Sequence, residues 1–326
     1  MDKRQFLTGS AALLTGLAAK AKTTPTSIDP KTKLTLADQS EQIRNLLEAS
    51  GERKKLQFQL DLPNFAGGPA VFEAIRAGAL DIAFVGETPP IQARAAGIYL
   101  PIIATFTREL AQYRLLQHAN AGVERLSDLR GKKVSFVEGS GRQIFLIEAL
   151  NRAGLTLKDI HPVHLRVGDL NDALRAKAVD VAIIMEPHVT RLRKQIGARV
   201  VPDPQERKLL PSTSYIYARP DVLADAQKSE AIAQFLGAFV RSSKWSNANR
   251  AQWGEHYYTK YQRLDAQTTE SILASQSPLL FQTSAEAIPL HQRLIDILHE
   301  SGSLTQRLDA KDSFLATFDS VVTANR

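Results

Sequence analysis

Residues 74–85 read AIRAGALDIAFV and residues 173–184 read ALRAKAVDVAII, with six of twelve positions identical at an offset of 99. That offset is far too long for a stacked solenoid repeat. It fits one duplicated α/β unit, in which a helix ends, the chain turns at Asp81 or Asp180, and a buried parallel strand follows. Convergence on a common helix–turn–strand unit would give a short match. Here the match runs on to Glu87 and Glu186, just past the carboxyl ends of the two strands. Open α/β sheets bind ligands at that end.

The same rhythm extends on either side of the repeat. Apolar runs at 34–36, 56–60, 81–85 and 100–106 predict strands. Amphipathic stretches at 40–50, 69–77 and 89–96 predict helices, with Ser40 as an N-cap and Gly51, Gly78 and Gly97 as terminators. The pattern then restarts. Strands are expected at 113–117, 134–137, 163–167, 179–185, 199–201 and 214–218, with a short turn at 126–129. Helices are expected at 141–153, 170–176 and 187–196. From Asp221 onward nearly everything reads helical, at 228–249, 266–275, 285–300 and 311–324. A chain of 326 residues with this alternation predicts an α/β protein of two domains.

The N-terminus reads as a signal rather than as fold. Lys3 and Arg4 precede an apolar stretch over 6–19, and Ala19-Lys20-Ala21 offers a small-x-small cleavage site. The expectation is a signal peptide over 1–21, of Sec or twin-arginine-like type, with Lys3 where the first arginine of a twin pair belongs. The stretch is too short to span a bilayer. With no cysteine, neither a disulfide nor a lipid anchor is expected, which points to a free protein in a periplasm. The formal net charge is +7, of which Lys3, Arg4 and Lys20 against Asp2 supply two. The modest remainder favours anions. No run of Lys/Arg interleaved with aromatics suggests a nucleic-acid partner. Methionine occurs only at Met1 and Met185, so the chain after the signal holds a single sulfur atom. Drift in composition could produce that. So could economy in a protein made when sulfur is scarce, which points to sulfur-containing ligands.

Strand-end turns that feed helix N-termini present free N–H groups and a favourable dipole to anions. Four turns qualify: 37–40, 65–69, 86–90 with Thr88 as a possible cap and Pro89 at the first helical position, and 138–143. At these residues the chain resembles the sulfonate/nitrate/taurine group of ABC-transporter substrate-binding proteins, and most of all the aliphatic sulfonate-binding members. The resemblance is carried by FAGGPAVFEAIRAGALDIAFVGETPP, then LSDLRGKKVSFVEGSG, LNRAGLTLKDI and AVDVAIIMEPHV, over roughly 31–219. It implies the type II periplasmic binding protein fold, two α/β lobes joined by two crossover segments with the ligand cleft between them. It further implies a first lobe from 31–109 plus 213–326, and an inserted lobe from 110–212.

By the same resemblance, the ligand-binding residues are expected to be Gln39, Gly68, Pro69, Glu87, Thr88, Ser140, Gly141, Met185, Glu186 and His188. Arg142 replaces a small residue usual in the family, and Met185 and His188 replace aromatic ones. Three roles are open to Arg142: a fork-shaped clamp on a sulfonate or carboxylate, an exposed first-turn arginine, or a cross-cleft ion pair with Glu87. Glu87 and Glu186 could act as acid and base, but more simply start helices or meet an amine or hydroxyl. The seven histidines show no H-x-x-x-H spacing, and there is no G-x-S-x-G elbow. No catalytic residue, metal or cofactor is therefore expected. The expected partners are a small anionic ligand, foremost an alkanesulfonate, and the membrane permease of an ABC importer, with the binding protein itself a monomer. Nitrate, taurine, an aromatic sulfonate or a sulfate ester are alternative ligands. A pyrimidine-synthase-like enzyme on the same fold and a periplasmic sensory domain are the competing classes. The export signal and missing cysteine count against the enzyme, and the lack of a fused kinase or second apolar span counts against the sensor.

Overall fold

The computed structural model describes residues 27–65 and 67–326. The expected signal at 1–21 lies outside the described residues. The chain first lays down β1 (Lys33–Gln39), β2 (Gln59–Asp61), β3 (Asn64–Phe65), β4 (Ile82–Val85) and β5 (Ile102–Arg108). It then crosses to a second sheet with β6 (Tyr113–Gln117), β7 (Lys133–Phe136), β8 (His161–His164), β9 (Val181–Met185) and β10 (Arg199–Val200). It returns to add β11 (Ser212–Ala218) and β12 (Leu280–Gln282) to the first sheet. The strand orders are β12-β5-β11-β4-β1-β2, with β3 beside β1, and β10-β6-β9-β7-β8. In both sheets the first strand after a crossing lies antiparallel to the repeat strand, β11 beside β4 and β6 beside β9. In both, the repeat strand lies parallel to an earlier one, β4 to β1 and β9 to β7. The architecture is α/β in two lobes.

The duplication seen in the sequence persists at atomic detail. Asp81 Oδ2 accepts from the Thr35 N–H at 2.9 Å, and Asp180 Oδ2 accepts from the Lys133 N–H at 2.8 Å. Each carboxylate thereby ties the turn before its strand to the parallel neighbour. Just upstream, the Ala79 N–H donates to the Ala74 carbonyl and the Ala178 N–H to the Ala173 carbonyl, both at 2.9 Å. The residue between is left-handed in each copy, Gly78 at φ 78° and Lys177 at φ 55°. Glycine enters that region freely and lysine does not, so the surrounding hydrogen bonds hold Lys177 there.

Helices α1 (Gln42–Ala49), α2 (Gly68–Arg76) and α3 (Thr88–Ala95) belong to the first pass. Helices α4 (Gly141–Arg152), α5 (Leu170–Arg175) and α6 (His188–Ile196) belong to the second. The C-terminal third contributes α7 (Pro220–Ala224), α8 (Ala226–Ala248), α9 (Arg250–Trp253), α10 (Ala266–Ser275), α11 (Ser284–Glu300) and α12 (Asp319–Asn325). The first core packs Leu34, Leu36 and Ile216 of the sheet against Leu47 of α1 and Phe235 and Phe239 of α8. The second packs Leu115, Phe136 and Ile183 against Phe145 of α4. Each such buried side chain contributes about 1.5–3 kcal/mol relative to exposure. A third cluster joins the lobes, with Ile91 of α3, Ile144 and Ile147 of α4, and Leu294 and Leu298 of α11 in mutual contact.

The structure departs from the sequence reading at several points. Ser40 does not cap α1: Ser40 and Glu41 are both left-handed, at φ 57° and 52°. The turn they make brings the Asp38 carboxylate round to accept from the Ile43 and Arg44 N–H groups at 3.0 and 2.9 Å. Residues 53–55 form a 3-10 turn, so β2 starts later than expected. The strand expected at 163–167 is shifted to β8, an edge strand whose Pro162 cannot donate to a further neighbour. The helix expected over 311–324 is broken, because Leu315 donates to the Ile102 carbonyl at 2.9 Å and the chain there runs extended beside β5. β12 lies between the helices expected at 266–275 and 285–300, where no strand is expected. Its three residues are too few to show alternation, and pairing with β5 recruits them.

Candidate functional site

The carboxyl ends of β1, β4, β5, β7 and β9 meet at a cleft between the lobes, with a cavity of about 310 Å³. That is within the range of small-molecule sites. Gln39, Gly68 and Pro69 line it from the first lobe, and Ser140, Gly141, Arg142, Met185, Glu186 and His188 from the second. The turn between β7 and α4 is built for close approach. Ser140 is extended and accepts from the Arg142 N–H at 3.3 Å, while its own hydroxyl donates to the Val137 carbonyl at 2.7 Å.

The four expected helix N-termini are not equivalent. The first belongs to α1 and is taken by Asp38. In the third, Pro89 and Pro90 remove two N–H donors, and the Thr88 hydroxyl is fully buried without a partner. Thr88 neither caps α3 nor lines the cavity, contrary to expectation. The α2 terminus has no side-chain cap, and Gly68 and Pro69 open it to the cavity. The α4 terminus does likewise through Ser140, Gly141 and Arg142.

Glu87 is also displaced from its expected role. It lies behind the cavity, 5% exposed, between the segments that cross from lobe to lobe. Its Oε1 accepts from the Thr213 N–H at 3.2 Å, and its Oε2 has no partner. Burial pushes its pKa up to about 7, opposed by backbone N–H groups and the Arg142 charge. The Arg142–Glu87 ion pair does not form: no carboxylate of a described residue lies within 4.0 Å of Arg142. A Cβ at position 141 would overlap Glu87 Oε2 and stand 2.8 Å from Tyr113 Oη, so only glycine fits where the two lobes touch. The other repeat-related acid, Glu186, caps its own helix. It accepts from the Thr190 N–H and hydroxyl, each at 3.0 Å.

Arg142 is not an exposed first-turn arginine. It is 9% exposed, its Nε donates to the Ile183 carbonyl at 3.2 Å, and its guanidinium lies 5.2 Å from the centre of the Tyr113 ring. The two terminal nitrogens make no hydrogen bond to a described residue. Asn171 Nδ2 donates to His188 Nδ1 at 2.9 Å. Burial and then Arg191, Arg142 and Arg175 lower its pKa, so the ring is neutral at pH 7 and offers a hydrogen bond rather than a charge.

Sequence reasoning missed two components. One is an aromatic wall of Phe84, Phe106, Phe239, Tyr257 and Tyr258. The Phe106 ring lies 5.2 Å from that of Phe84, tilted by 31°, and meets that of Phe239 edge-on at 5.4 Å. Phe84 and Phe106 lie toward the carboxyl ends of predicted strands and could have been found on that ground. Tyr257 and Tyr258 sit on a widened π-type turn, Gly254–Tyr261, which puts two consecutive side chains on the cavity. The other component is Arg108, at the end of β5, whose Nη1 donates to the Ser277 carbonyl. At the rim, Lys194 of α6 reaches across to Asp265 at 3.1 Å and Thr268 at 2.7 Å. Among the described residues no group of three His, Asp or Glu side chains could hold a metal, and no helix is long and apolar enough to cross a membrane.

Comparison with known proteins agrees with this geometry. The putative aliphatic sulfonates-binding protein of Escherichia coli K12 is 28% identical over 262 residues, 80% of either chain. The crystal structure of the periplasmic aliphatic sulphonate binding protein SsuA from Escherichia coli superposes with a TM-score of 0.72 at 26% identity, over 87% of this chain and 92% of that one. The alkanesulfonate-binding protein SsuA from Xanthomonas axonopodis pv. citri, bound to MOPS, gives 0.76 at 21% identity, over 88% and 99%. The two-lobed architecture is therefore that of the periplasmic binding proteins. Residues 59–252, more than half of the chain, match the family described as NMT1/THI5 like, and the chain belongs to that family.

Proposed function

We propose that this is a binding protein that captures a small organic anion, foremost an organosulfonate, in the cleft between its lobes and presents it to the permease of an ABC importer. The observation that carries the reading is Arg142. It is a nearly buried guanidinium, fixed by Ile183 and Tyr113, with two terminal nitrogens unused by the described residues, at an open helix N-terminus. A sulfonate offers oxygens in the geometry such a fork takes. The relatives named above are sulfonate binders, which supports the same ligand class.

With this function go a periplasmic location after removal of 1–21, action as a monomer, and the lobe division of 31–109 plus 213–326 against 110–212. Strands β1 to β5 and β12 fall in the first set and β6 to β10 in the second, while β11 begins at Ser212, one residue before the proposed boundary. A thermal-shift and calorimetric screen of the mature chain against alkanesulfonates, benzenesulfonate, a sulfate ester, taurine, nitrate and a pyrimidine tests the assignment. A ligand at 100 times its Kd stabilises the folded state by about 2.7 kcal/mol and raises Tm. Sulfonates are expected to do so. A shift from nitrate or the pyrimidine with none from any sulfonate would overturn the reading.

A further inference from the structure

We propose that Arg108 forms a second anion subsite in the same cavity, and that the favoured ligand is a sulfonate with an aromatic or apolar body and another acidic group at its far end. This deepens the sulfonate reading and rests on it.

Two guanidinium groups line the cavity from opposite lobes. Arg108 stands at the end of β5 and is held by the Ser277 carbonyl; Arg142 stands in the first turn of α4 and is held by the Ile183 carbonyl. Each uses one N–H on a backbone acceptor and makes no other hydrogen bond to a described residue. Neither has a carboxylate of a described residue within 4.0 Å. The other arginines of the cavity differ. Arg114 is paired with Glu206 at 2.8 Å; Arg207 also gives an N–H to a backbone carbonyl, that of Ala111 at 3.3 Å, but the carboxylates of Glu206 and Glu186 offset the field of Arg114 there. Burial disfavours the Arg108 charge; of its titratable neighbours Tyr258 favours it and Arg250 opposes it, and neither is a carboxylate. A half-buried cation with no carboxylate partner is unfavourable until an anion joins it.

The surface beside Arg108 defines the ligand's body. Phe106 lies two residues earlier on the same strand and therefore on the same face, with Phe239 against it. A ligand reaching from Arg142 to Arg108 meets this wall. A simple alkanesulfonate would satisfy Arg142 and leave Arg108 without an anion. A sulfonate that also carries a carboxylate or a second sulfonate satisfies both.

Calorimetry with benzenesulfonate and 4-sulfobenzoate, on the wild-type mature chain and on Arg108→Met and Arg108→Gln, tests this. The wild type is expected to bind 4-sulfobenzoate roughly 10-fold to 100-fold more tightly, the worth of one charge-assisted contact. That preference should collapse in both variants, 4-sulfobenzoate losing at least about 10-fold more affinity than benzenesulfonate. Equal wild-type affinity for the two ligands overturns the proposal, without need of a variant. So does an equal loss for both ligands in the variants, which would place Arg108 on the same sulfonate as Arg142. Failure of every sulfonate to bind would overturn the underlying reading instead, and nitrate binding in that case would identify its replacement.

Discussion

The sharpest prediction concerns Glu87→Gln. The carboxyl is buried behind the cleft with one oxygen on the Thr213 N–H and the other unpartnered. The groups facing it are the hydroxyls of Tyr113 and Tyr215, both pushed up by burial and so neutral, and the guanidinium of Arg142. Its pKa is about 7 in the folded chain against an ordinary 4.5. Between those values the folded chain binds a proton that the unfolded chain has released. Stability from this group is therefore full below pH 4.5 and is lost as pH climbs through 7. The gap corresponds to about 3 kcal/mol at pH 9. Glutamine keeps the shape and the acceptor for Thr213 but cannot ionise. Urea unfolding from pH 5 to 9 should find the two proteins within about 1 kcal/mol at pH 5 and the variant more stable by up to about 3 kcal/mol at pH 9. Parallel pH profiles, or a variant that is weaker throughout, would refute the burial argument.

Three other outcomes are expected. His291 is fully buried against Tyr215, and burial lowers its pKa to about 3, so it contributes stability that is present above pH 6.5 and lost as pH falls through 3. Thermal melts of His291→Gln should therefore depend less on pH over that window than those of the wild type. Gly141→Ala must push Glu87 or Tyr113 aside. Calorimetric unfolding should show a loss of about 1–3 kcal/mol, the usual result of overpacking. Arg142→Met should weaken sulfonate binding by about 10-fold to 100-fold in titration calorimetry while leaving the secondary structure unchanged by circular dichroism.

The α/β fold was legible because its signals are local. Amphipathic helices ended by Gly78 and Gly97, and the doubled AIRAGALDIAFV pattern, both survive folding as read. The cavity was legible where it consists of strand-to-helix turns, at Gly68 and Pro69 and at Ser140 to Arg142. It was illegible where long-range packing decides. Phe239, Tyr257 and Tyr258 reach the cleft from helices more than 120 residues away from its first turns, and no periodicity marks them. Glu87 was misplaced for a related reason. Its alignment with Glu186 is real, but one copy turns inward to Thr213 and the other caps α6, a difference set by what each lobe packs against. The C-terminal break at 314–315 likewise depends on an edge of β5 that is distant in sequence.

Met185, which lines the cavity, shares the chain with only one other methionine, Met1. Feeding cells methyl-labelled methionine would thus give the mature protein a single thioether methyl resonance, placed in the site. Its chemical shift would report occupancy, and its line shape during titration would report how long each ligand stays, without any engineered tag.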